Sequence, residues 1–137
     1  MTDTSSTTPT DVNVPRSDEC TAESLKLALA AARTADANRG KDIVVLDVRK
    51  LTPLFEYFVI ASGTSRPQIH AMSEEIDDKL AKELGDQRMG IEGYSESRWI
   101  LLDYGRVVIH LFDDETRAYF ALEEPWADGI RVDWQNT

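Results

Sequence analysis

At 137 residues, 42% of them hydrophobic, the chain has room for one domain with a real core. Its 15 Lys and Arg against 25 Asp and Glu give a net charge of −10, which disfavours binding to bare phosphate backbone and favours a basic protein neighbour. The lone Cys20 excludes an internal disulfide or a cysteine-built zinc site, and no apolar run approaches a membrane span of roughly 20 residues.

Residues 1–16, rich in Thr, Ser, Pro and Asp, read as a disordered tail without the basic start and apolar stretch of a signal peptide, so the expected location is cytoplasmic. An alanine-rich helix follows from about Asp18 to Asn38, with Leu25, Ala28, Leu29 and Ala32 as its stripe and Gly40 as its stop. "DIVVLDV" (Asp42–Val48) and "EYFVIAS" (Glu56–Ser62) read as strands, separated by a proline-containing bend. A second helix runs from about Pro67 to Leu84, with Ser65 as N-cap and Gly85 as terminator. Ile69, Met72, Ile76, Leu80 and Leu84 face inward on it, while Glu74, Glu75, Asp78 and Lys82 face water.

The stretch "SESRWILLDYGRVVIHLF" reads as a hairpin turning at Tyr104-Gly105. Such a turn sets Asp103 opposite Arg106, Ile100 opposite Ile109 and Trp99 opposite His110. Alternation then gives an aliphatic face of Ile100, Leu102, Val107, Ile109 and Leu111. The other face carries Trp99, Leu101, Asp103, Arg106, Val108, His110 and Phe112, a mixture suited to a protein contact; a covering helix is the competing explanation. A last helix starts near Asp113 and ends before Pro125, followed by a tail that can pack a tryptophan back on the body. The order helix, two strands, helix, two strands, helix predicts an α/β sandwich with a mixed sheet.

Catalytic chemistry is poorly supported. His70 and His110 are the only histidines, and Asp113 and Glu115 read as helix-capping acids rather than metal ligands. "SGTSR" (Ser62–Arg66) lies between a strand and a helix, where an anion can bind. It lacks the phosphate-loop pattern, and the neighbouring strands lack an Asp-x-Asp pair for magnesium. No metal and no cofactor are expected.

"DIVVLDV", "EYFVIASGTSRPQIHAM", "IEGYSESRWILLDYGRVVIHLF" and "RAYFALEEPWAD", in this order and spacing, resemble the ribosomal silencing factor family (RsfS, also called Iojap or YbeB) from about Leu25 to Asp128. That resemblance implies an α/β fold distantly like nucleotidyltransferases without their catalytic acids. It implies a non-enzymatic repressor that binds ribosomal protein fourteen of the large subunit, blocks small-subunit joining when nutrients are scarce, and forms a homodimer when free. No membrane or sequence-specific nucleic acid enters. The partner-binding residues it implies are Trp99, Asp103, Tyr104 and His110, with Glu92, Gly93 and Tyr57. Residues 17–128 form the domain on this reading, and 129–137 are an extension without an assigned role. Two positions depart from the family pattern: Arg106, where an acid is usual, and Pro125, where a leucine is usual. The alternative is a nucleotidyltransferase-like enzyme or nucleotide sensor using Ser62–Arg66.

Overall fold

The computed structural model describes residues 18–85, 90–93, 98–121 and 126–135. The expected tail at 1–16, residues 122–125 before the expected stop at Pro125, and the side chain of Leu84 lie outside them; the last helix itself closes at Ala121. The chain builds α1 (Asp18–Ala37), β1 (Lys41–Asp47), β2 (Tyr57–Gly63), α2 (Arg66–Leu84), β3 (Gly90–Glu92), β4 (Trp99–Asp103), β5 (Val107–Asp113), α3 (Asp114–Phe120) and β6 (Ile130–Arg131). One mixed sheet has the order β3-β4-β5-β2-β1-β6. Among the described residues its one parallel pair is β2 with β5, running from Tyr57↔Val107 to Gly63↔Asp113. Two parallel neighbours cannot be joined by a tight turn, and α2 begins the excursion that connects them.

Local chemistry fixes α2. The Ser65 side chain accepts from Gln68 N, Pro67 occupies the first turn, and Gly85 closes the helix in the left-handed region at φ 69. Ile69, Met72, Ile76 and Leu80 are fully buried, each contributing about 1.5–3 kcal/mol of hydrophobic stabilisation, whereas Glu74, Glu75, Asp78 and Lys82 are exposed. On α1 the buried stripe is Leu27, Ala28, Ala31, Ala32 and Ala35. The expected stripe is therefore rotated. Leu29 is only half-buried, and the small alanines let α1 lie close to the sheet.

Both helices cover the face formed by Val45, Tyr57, Val59, Ile100, Leu102, Val107, Ile109 and Leu111. All five residues expected on the aliphatic hairpin face are there. The opposite face holds a second cluster, Val44, Leu46, Val48, Phe58, Ile60, Val108 and Phe112, with Phe55, Trp99, Leu101 and Trp126 packed on it. Among the described residues, the helix touching this side is the short α3, against β5 and β2.

The hairpin register differs from the sequence expectation. Trp99 pairs with Phe112, Leu101 with His110 and Asp103 with Val108, so the pairing is moved by two residues. The cause is the turn. The Asp103 carboxylate accepts from Gly105 N at 2.8 Å, and Tyr104 N donates to Val107 O at 2.9 Å. These bonds centre the turn on Gly105-Arg106, one residue later than expected, with Tyr104 facing Val107 and Gly105 at φ 90, where a side chain would be strained. A slip of two keeps every side chain on its face, because the strand period is also two. The two short strands, β3 and β6, were not expected. The former pairs with β4 as Gly90↔Asp103, Ile91↔Leu102 and Glu92↔Leu101.

Candidate partner-binding site

The site is the face of the β3-β4-β5 corner turned away from α1 and α2. Trp99, Leu101 and Asp103 alternate onto one side of β4, and Glu92, opposite Leu101, joins them. Trp99 is half-buried, Asp103 is half-buried and Glu92 is exposed. One face thus carries the indole at one end of β4, Asp103 at the other, and Glu92 across from Leu101 between them.

Separate contacts fix the Trp99 ring and its backbone. From behind, Trp99 Nε1 donates to His110 Nδ1 at 3.3 Å, and the ring lies 5.1 Å from Phe112. From the side, Gly93 stands at φ 76, where a Cβ would lie 1.9 Å from the Trp99 carbonyl oxygen. No side chain fits there, so the glycine is what lets the chain pass against β4.

His110 itself is buried, only 4% exposed. Phe58 meets it edge-on at 5.4 Å and Phe112 stacks at 6.1 Å. Burial pushes its pKa from 6.5 down to about 4, because the apolar surroundings penalise the imidazolium. Acceptance at Nδ1 assigns the ring proton to Nε2, and that nitrogen has no partner among the described residues. His110 therefore supports Trp99 from inside instead of presenting itself to a partner.

The expected Asp103–Arg106 cross-strand pair does not form. With Asp103 committed to the turn, Arg106 Nη1 reaches Glu56 Oε2 at 3.5 Å. The Glu56 carboxylate is 1% exposed, and its backbone N donates to Arg106 O at 2.7 Å. This buried acid, which sequence reasoning passed over as a strand residue, locks the β1–β2 loop to the hairpin turn. Its only sequence signal was an acid at the head of an apolar run, facing a cation in an unusual place.

Tyr57 and Tyr104 stand elsewhere. Tyr57 is buried under the helices, beneath the Arg49 guanidinium at 5.5 Å. The Tyr104 hydroxyl donates to Asp77 on α2 at 2.8 Å. Of the seven residues implied by resemblance, the structure brings together Trp99, Asp103, Glu92, Gly93 and His110, and turns the two tyrosines to the helical side. Trp126 adds a ring to the same face, packing edge-on against Phe58 at 4.8 Å.

Within Ser62–Arg66, the side chains of Ser62, Thr64 and Ser65 are engaged within the chain. Thr64 N and Oγ1 donate to Gln68 Oε1 at 2.6 and 2.8 Å, and Arg117 donates to Ser62 Oγ at 2.7 Å. Asp113 caps α3, its Oδ1 accepting from Thr116 N at 2.7 Å. Although burial pulls the other way, the Thr116 bonds and the Arg98 and Arg66 charges hold this carboxyl below its usual range. Among the described residues no cluster of His, Cys, Asp and Glu could hold a metal ion, and no helix is long and apolar enough to cross a membrane.

Residues 21–137 match the protein family described as ribosomal silencing factor during starvation. The chain belongs to this ribosomal silencing factor family. It is 40% identical over 109 residues to ribosomal silencing factor RsfS of Bacillus subtilis, spanning 80% of this chain and 89% of that one. A mouse protein named mitochondrial assembly of ribosomal large subunit protein 1 is 39% identical over 90 residues, 64% of this chain and 39% of its own length. The crystal structure of a Chromobacterium violaceum protein superposes with a TM-score of 0.73 at 32% identity, covering 83% of this chain and 93% of that one. The α/β fold with a mixed six-stranded sheet is thus shared with solved relatives of the silencing factor.

Proposed function

We propose that this silencing factor is a non-enzymatic, cytoplasmic repressor that binds ribosomal protein fourteen of the large ribosomal subunit and blocks joining of the small subunit when nutrients are scarce. The observation that carries this reading is the Trp99 corner. A half-buried indole, held at its ring by His110 and at its backbone by Gly93, shares one sheet face with Glu92 and Asp103. Tryptophan anchors of this kind concentrate binding energy, and the net charge of −10 draws a basic ribosomal protein toward the acidic rim. Steric exclusion needs no cofactor, only an interface on the order of 1,600 Å² or somewhat less. The free protein is a homodimer on this reading.

The test is co-sedimentation with purified large subunits. Trp99→Ala should cost ~2 kcal/mol or more, about 30-fold in affinity, with the fold intact. Unchanged binding by that variant would move the contact away from this corner. Affinity should also decline only shallowly with salt, because few phosphates are neutralised; a steep log–log dependence would indicate direct contact with ribosomal RNA.

A further inference from the structure

The C-terminal segment hooks around the β1 edge of the sheet. At its root Trp126 packs on the Phe58 side. Ile130 and Arg131 then pair antiparallel with Asp47 and Leu46, and Val132 N donates to Val45 O at 2.8 Å. Beyond the edge, Val132 and Trp134 pack against the helix-covered core, and Trp134 Nε1 donates to Ile43 O at 3.2 Å. One tryptophan grips each side of the sheet.

What the hook covers is the more adhesive of the two ends. Strand β1, "KDIVVLD", has seven residues, no proline and three consecutive β-branched side chains. Its apolar residues feed both clusters, Val44 and Leu46 on one face and Val45 with Ile43 on the other. A strand of this kind with an open ladder edge is a template for pairing. The other end of the sheet, β3, is only Gly-Ile-Glu, and short charged edges protect themselves.

We propose that residues 126–135 mask a strand-addition site on β1 whose occupant, once the hook lifts, is a second copy of this chain. The strand is its own complement. Antiparallel pairing centred on Val45 sets Val44 against Leu46 of the other copy, and so continues the apolar row across the junction. Each copy carries a charge of −10, so mutual repulsion opposes this association and salt strengthens it by screening. The hook therefore restricts self-association to other surfaces, and the inference is independent of the role given to Trp99.

Sedimentation velocity tests this on a chain ending at Gly129, which keeps Trp126 over Phe58. Relative to the full chain at the same concentration, a species of twice the mass is expected, increasing with salt and reversed by a peptide of residues 130–135. A folded shortened chain with the full chain's mass distribution would overturn the proposal. So would association that disappears on adding Trp99→Ala, since it would then run through the other face. If near-UV circular dichroism shows the shortened chain unfolded, the full chain with Val132→Pro and Trp134→Ala decides: added self-association supports the masked edge, and none refutes it.

Discussion

Replacing His110 by phenylalanine should make the protein less sensitive to mild acid. The imidazole is 4% exposed and titrates at about 4 instead of 6.5. Between these values the unfolded chain takes up a proton that the folded chain refuses, so stability falls as pH drops from about 6.5 toward 4 and is preserved above that window. Going from about pH 7.5 to about pH 5, the difference in proton binding amounts to about 2 kcal/mol. For a domain of this size that corresponds to roughly 5–10 °C in Tm. The Phe variant keeps an aromatic ring between Phe58 and Phe112 but leaves Trp99 Nε1 without its acceptor. It should therefore start roughly 1–3 kcal/mol less stable at neutral pH and then lose about 2 kcal/mol less than the parent on acidification. Urea unfolding of both proteins at the two pH values measures the difference, and the titration of exposed carboxylates common to both largely cancels. Parallel pH dependences would show that His110 is neither buried nor neutral in the folded state.

Three further expectations follow from individual contacts. Gly93→Ala places a Cβ against the Trp99 carbonyl in a left-handed conformation; it should lower Tm by several degrees, at a cost of roughly 1–3 kcal/mol, and shift the Trp99 indole resonance. Asp113→Ala removes the α3 cap that accepts from Thr116 N, a loss of about 1 kcal/mol readable by thermal melting. Arg106→Ala strips the cation from a carboxylate that is 1% exposed. Because Arg106 is itself half in water, the cost should be roughly 1–3 kcal/mol, and adding Glu56→Gln should recover part of it. An additive double variant in denaturant melts would show that the pair contributes no coupling.

Much of this molecule was legible in one dimension because its signals are local. Ser65, Pro67 and Gly85 bound α2 through bonds and dihedrals within a turn of chain. The two faces of the hairpin followed from alternation, which survives a register slip of two. Trp99 stood out because a face mixing large aromatics with charged residues on an alternating strand is poor core composition. Family membership rests on the same order and spacing of motifs.

Other features required the fold, since their causes lie far apart in the chain. Parallel pairing of β2 with β5 brings Phe58 over His110, and that burial turns a potential titrating contact into a neutral brace. Asp103 was free to pair with Arg106 on paper; its turn bond to Gly105 releases Arg106 to Glu56. The short strands β3 and β6 have too few residues to show a period and exist because a neighbouring edge supplies their ladder bonds. Residue order alone thus determined the helices, the strand faces and the family. Tertiary structure decided which polar groups meet, which face each tryptophan packs on and which edge is closed, because hydrogen bonding and desolvation depend on neighbours that only the packed chain brings within reach.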